Sequence, residues 1–133
     1  MIVDSSVLVA ILKGETDAQV FHRVLHLASI NRLSAGNFVE TATVIDAYRD
    51  PVLSQELDDL LIAFRITIEP VTESQARIAR QAYRDFGKGS GHKAKLNLGD
   101  CFAYALARET GEPLLYKGND FLHTGIASAL KTN

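Results

Sequence analysis

Four acidic residues stand where acids are costly to place. Asp4 follows the apolar pair Ile2-Val3, and Glu40 lies between Val39 and Thr41. Asp100 runs into Cys101-Phe102-Ala103, and Asp120 follows the apolar run Leu114-Leu115-Tyr116. A carboxylate beside a hydrophobic core is expensive unless it is paired or bound to a metal. If these four converge, they form an all-oxygen donor set. With no Cys/His spacing of a zinc site in the chain, such a set selects Mg²⁺ or Mn²⁺. Without the cation the carboxylates repel one another, which raises some of their pKa values and ties metal affinity to pH. Each acid also has a purely local reading. Asp4 can cap a following helix, Glu40 and Asp100 stand three residues after Asn37 and Asn97 at capping-box spacing, and Asp120 is a turn acid beside Asn119.

Other reactive side chains carry less. Ser5 and Ser6 have the character of helix-start serines, with Ser6 the better placed to orient Asp4 or a metal-bound water. His22 and His26 are four apart on a helical pattern but lack HExxH, which reads as an exposed helix face. Cys101 reads as core. Tyr48, Tyr83, Tyr104 and Tyr116 each fall in an apolar periodic segment and read as structural. Lys88, His92, Lys93 and Lys95 crowd a glycine-containing stretch just before Asp100, a mobile basic loop suited to phosphate contact or merely to solvent, with Arg84 close by.

These residues need elements to hold them. Ile2-Val3 starts a strand, and the apolar run Val7–Leu12 continues into a helix. Thr16 and Gln19 have capping-box spacing before a helix carrying Phe21, Val24, Leu25 and Ala28. Asn37 precedes a third helix through Val39, Ala42 and Ile45. Pro51 opens a fourth through Leu57, Leu60, Leu61 and Phe64. Ile66, Ile68 and Val71 around Pro70 read as a strand, and Thr72 with Gln75 caps a helix that Gly87 stops. Asn97 caps the helix of Cys101, Phe102, Ala105 and Leu106, and Pro113–Tyr116 is a last strand. Strands alternating with helices predict an α/β fold with a mainly parallel sheet, whose sites gather beyond the strands' carboxyl ends. Asp4 and Asp120 both fall there.

Composition sets the outer bounds. With 133 residues and 47% hydrophobic content, the chain is expected to form one domain, residues 1–133. Neither a bilayer-length apolar run nor a basic leader is present, so a cytoplasmic protein without membrane contact is expected. A single cysteine permits no intramolecular disulfide. The net charge of −2 counts against a nucleic-acid binder. With four of the 16 acids set aside for a cation, however, 12 remain against 14 basic residues, and net charge stops discriminating.

The segments MIVDSSVLVAIL, FVETATVI, FGKGSGHKAKLNLGDCFAYALA and PLLYKGNDF together resemble PIN domains, specifically toxins of the VapC type, from Met1 to about Ala129. That resemblance implies a PIN-like three-layer α/β/α sandwich and a metal-dependent endoribonuclease. It implies catalytic roles for Asp4, Glu40, Asp100 and Asp120, with Asp4 and Asp100 on Mg²⁺ or Mn²⁺. It also implies structured RNA such as tRNA or rRNA as substrate, a cognate VapB-type antitoxin as inhibitor, and a homodimer or antitoxin-bound hetero-oligomer. The chain departs from the family pattern at its last motif, where Asn119-Asp120-Phe121 and Gly125 replace a richer set of acids. Asn119 and Asp120 therefore both stand as candidates for the fourth position, one of them acting through water. Two rivals follow. One is a PIN-like module that binds RNA or protein without cutting. The other is a phosphoryl-transfer enzyme with an aspartyl nucleophile, which needs an acid where Ser6 stands.

Overall fold

The computed structural model describes residues 1–130; residues 131–133, the end of the expected domain, lie outside the described residues. Four strands, β1 (Ile2–Val3), β2 (Asn31–Ser34), β3 (Ile66–Glu69) and β4 (Leu114–Leu115), form one sheet in the order β3-β2-β1-β4, with every pair parallel. Six helices surround it: α1 (Ser5–Leu12), α2 (Ala18–Leu27), α3 (Ala35–Asp46), α4 (Pro51–Ala63), α5 (Glu73–Phe86) and α6 (Leu98–Thr110). The α/β fold with a parallel sheet read from the sequence is the one observed.

Strand alternation divides the core in two. Ile2 and Leu114 face one way, into Ala79, Ala82, Ala103 and Leu106 of α5 and α6. Val3 and Leu115 face the other, into Val7, Leu8, Phe21, Leu25, Leu60 and Phe64 of α1, α2 and α4. Both sheet faces are covered, which gives the three-layer sandwich. Strand order explains where a site can form. The chain steps from β1 to β2 to β3, then α5 and α6 carry it back to β4 on the far side of β1. The crevice at the carboxyl ends of β1 and β4 lies at this reversal.

Local signals set several helix starts. The Gln75 N–H donates to Thr72 Oγ1 (3.1 Å), and Pro51 occupies the first turn of α4 behind the Asp50 cap. The capping box of α6 is complete: the Asp100 N–H donates to Asn97 Oδ1 (2.8 Å) and the Asn97 N–H to Asp100 Oδ2 (3.0 Å).

Four expectations are corrected. Thr16 and Gln19 make no capping box, because α2 begins after Asp17, which forms no side-chain cap bond. Asn37 caps nothing: the Gly36 N–H donates to Ser34 Oγ (3.3 Å), so α3 starts at Ala35 and Asn37 is buried inside it. Strand β3 stops at Glu69, leaving Val71 outside, since Pro70 has no N–H to continue the ladder. The expected stop at Gly87 holds, made in extended backbone. Finally, the 88–96 loop is pinned at its base. The Lys88 N–H donates to Leu96 O (3.0 Å) and the Leu96 N–H to Phe86 O (2.9 Å), while Ala94 and Leu96 are buried.

Strand β2 has no counterpart in the sequence reading. Its Asn-Arg-Leu-Ser sequence is polar, yet it sits between β1 and β3, and Asn31 is buried with Nδ2 donating to Leu25 O and Phe64 O (3.0 Å each). Among the described residues no helix is long and apolar enough to cross a membrane.

Candidate active site

Asp4 leaves β1 and becomes the cap of α1. Its Oδ2 accepts from the Ser6 N–H (3.1 Å) and from the Ser6 hydroxyl (2.6 Å), and the residue is only 4% exposed. Ser6 Oγ in turn accepts from the Lys117 N–H (3.0 Å), just beyond β4. With that lone pair engaged, the hydroxyl proton is directed at Asp4. Lys117 is itself held by its Nζ, which donates to Glu15 Oε2 (2.6 Å) and Asp17 Oδ1 (3.2 Å).

Asp100 stands in the first turn of α6, 7% exposed, with one carboxylate oxygen spent on the capping box. The local cap readings of Asp4 and Asp100 therefore hold, and they do not compete with a site. A cap anchors the carboxylate at a helix N-terminus, where the backbone dipole favours negative charge.

Glu40 reaches the same place from α3. It is not a capping-box acid, since Ser34 holds that cap. Its carboxylate lies against Gly99 so closely that a Cβ there would collide with it. Gly99 is thus small for a reason the sequence does not reveal. Asp120, exposed in the turn after β4, comes within hydrogen-bonding range of Asp100. Exposed Asn119 accepts the Leu122 N–H through its backbone (3.2 Å).

Burial dominates the electrostatics. It pushes the Asp4 carboxyl up to about 6; hydrogen bonds from Ser6 hold it down, and the Glu40 charge adds to the rise. Asp100 is also pushed up, by burial first and then by Asp4 and Asp120, against the opposing Asn97 N–H. Cys101, buried as expected, has its thiol raised to about 11 and is no nucleophile at neutral pH.

Among the described residues, Asp4, Glu40, Asp100 and Asp120 take part in no ion pair. Nor do three His, Cys, Asp or Glu side chains there stand close enough to grip an ion as arranged. Glu40 leans on Gly99 and Asp120 on Asp100 instead. The donor set still fits a hard cation. It is all oxygen, its two inner carboxylates resist ionisation alone, and no cationic side chain among the described residues pairs with them.

The basic residues divide. Lys88, Lys93 and Lys95 are exposed, whereas His92 is half-buried, its ring edge-on to Phe86 (4.9 Å) and its Nδ1 accepting from the Ala94 N–H (3.0 Å). His22 and His26 are exposed on α2, with His22 against Phe64. Tyr104 and Tyr116 are buried, while Tyr48 and Tyr83 are exposed rather than core.

Sequence reasoning missed Gly99 and Lys117, read Ser5 only as a helix-start serine, and misread Asn37. Their roles arise from partners 32 to 111 residues away, so no local spacing signals them.

The PIN domain family model matches residues 1–127. Ribonuclease VapC28 of Mycobacterium tuberculosis is 55% identical over 130 residues, covering 98% of each chain. The crystal structure of Mycobacterium tuberculosis VapC20, described as a Sarcin-Ricin loop cleaving toxin, matches with a TM-score of 0.73 at 18% identity, over 95% of each chain. A toxin-antitoxin complex from Klebsiella pneumoniae gives a TM-score of 0.70 at 15% identity, over 98% of each chain. At such identities these two structures speak for the fold.

Proposed function

Because the chain belongs to the PIN-domain family, in its VapC ribonuclease branch, we propose that it is a Mg²⁺- or Mn²⁺-dependent endoribonuclease toxin acting on structured RNA such as tRNA or rRNA. The observation that carries this reading is the pair of buried, unpaired carboxylates at the sheet's reversal point, Asp4 and Asp100, with Glu40 and Asp120 beside them. Buried carboxylates with no basic partner among the described residues call for a cation.

Asp4 and Asp100 would hold the ion, and Glu40 and Asp120 complete the acidic rim. When bound, a divalent cation supplies an activated water at neutral pH and neutralises phosphate oxygens as charge grows on them. Ser6 holds the Asp4 carboxylate in one rotamer, and Asn119 offers an amide at the rim. Lys88, Lys93 and Lys95 contact phosphates, while His92 shapes their loop through Phe86. The whole chain acts as one domain in the cytoplasm. It pairs with a cognate VapB-type antitoxin and assembles as a homodimer or antitoxin-bound hetero-oligomer, a reading supported by the fold shared with a solved toxin-antitoxin complex.

The test is cleavage of a structured RNA with Mn²⁺, with excess EDTA, and with Glu40→Gln and Asp100→Asn. Cleavage should need metal and fall by orders of magnitude in both variants. Parent-like cutting by both would overturn the site.

A further inference from the structure

One buried side chain touches all three elements that carry the inner acids. Asn37, fully buried in α3, donates through Nδ2 to Ser5 Oγ (3.1 Å), to Gly99 O (2.9 Å) and, at the long limit of 3.5 Å, to Glu40 Oε1. Ser5 Oγ returns a bond to Asn37 O (3.2 Å). Ser5 is covalently next to Asp4, and Gly99 is next to Asp100. From this juxtaposition, and resting on the metal-dependent reading above, we infer that Asn37 is the positioning residue that sets the spacing of Asp4, Glu40 and Asp100.

The chemistry supports a fixed orientation. The Gly99 carbonyl accepts but cannot donate, so the amide nitrogen, not its oxygen, must face it. Oδ1 is left buried without a partner. A buried carbonyl oxygen without a donor is costly, so this arrangement is poor as a packing device. Leucine, nearly the same size, would fill the space without that cost. What leucine lacks is the N–H pair that ties α3 to the starts of α1 and α6. The site has another tight contact at the same point, since the Gly99 backbone leaves no room for a Cβ beside Glu40. Asn37 and Gly99 together determine how far Glu40 stands from the first turn of α6. Asn37 touches neither substrate nor ion; it acts through Ser5, Glu40 and Gly99.

Hydrogen bonds that hold metal-binding side chains in place from behind typically contribute 10–100-fold in metal affinity or activity. The experiment measures Mn²⁺ dissociation constants calorimetrically, well below the melting temperature, for the parent, Asn37→Leu, Asn37→Ala and Ser5→Ala. Thermal melting in EDTA and kcat and KM on a short RNA accompany it. Asn37→Leu should melt within a few degrees of the parent in EDTA yet bind Mn²⁺ at least tenfold more weakly and lose kcat at least tenfold, with KM within about twofold. Ser5→Ala, which keeps the Gly99 bond, should show the same pattern at smaller size, and it remains informative if either Asn37 variant fails to fold. Parent-like Mn²⁺ affinity in a folded Asn37 variant, or in Ser5→Ala should neither Asn37 variant fold, overturns the inference while leaving the metal reading intact. Absence of Mn²⁺ binding by the parent overturns both.

Discussion

Replacing Asp4 by Asn probes the electrostatics of the site without relying on activity. The Asp4 carboxyl titrates near 6 in the folded chain, against an ordinary 3.8. Its folded-state pKa is therefore raised, and the folded chain keeps this proton where the unfolded chain has released it. The stability contributed is complete below about pH 4 and is lost as pH rises through 6. A gap of about 2 units corresponds to about 3 kcal/mol at most. An asparagine cannot ionise, and its amide oxygen still accepts from the Ser6 N–H and hydroxyl. In EDTA the variant should equal the parent near pH 4 and exceed it by about 2–3 kcal/mol at pH 8. For a chain of this length that is a rise in melting temperature on the order of 10 °C. Saturating Mn²⁺ should invert the order at pH 8, because the ion stabilises only the protein that binds it. The assay is thermal melting of both proteins at pH 4, 6 and 8, in EDTA and in Mn²⁺. A difference independent of pH, or a variant weaker throughout in EDTA, would refute the claim that burial of charge raises this pKa.

Gly99→Ala should leave the helix start tolerable, since alanine suits a first turn, but force Glu40 off its present position. We expect RNA cleavage to fall at least tenfold with a melting shift of only a few degrees; unchanged cleavage would separate Glu40 from the reaction. Replacing Lys88, Lys93 and Lys95 together with Ala should flatten the dependence of log K for RNA on log salt by about 2–3 units, at roughly 0.7–0.9 per lost phosphate contact. His92→Ala should change that slope little, because its ring is turned onto Phe86. A slope unaltered in the triple variant would leave the loop to solvent.

What the sequence determined by itself follows from interactions that close within one turn. Thr72 with Gln75, Asn97 with Asp100, and Pro51 in the first turn of α4 each act within three residues or fewer, so spacing and residue type announce them. The alternation of apolar segments likewise shows which stretches must be strands and helices, because each has to bury one face. Even here spacing is a permission and not an outcome. Thr16 with Gln19 and Asn37 with Glu40 have the right separation and make no cap, since Asp17 and Ser34 lie nearer the true helix starts.

Only the tertiary structure decided the rest. Strand β2 is polar in sequence and central in the sheet, the Asn31 Nδ2 donating to carbonyls of α2 and of the residue after α4, which no neighbouring residue could indicate. The four acids were each visible as residues out of place, but how near one another they come depends on the return of the chain from β3 to β4 beside β1. The same holds for Asn37, a misplaced cap by spacing and a strut between α1, α3 and α6 in the fold. Local hydrogen bonds are encoded in separation along the chain. Convergence is encoded in the packing of both sheet faces, a sum over many residues that no single motif carries.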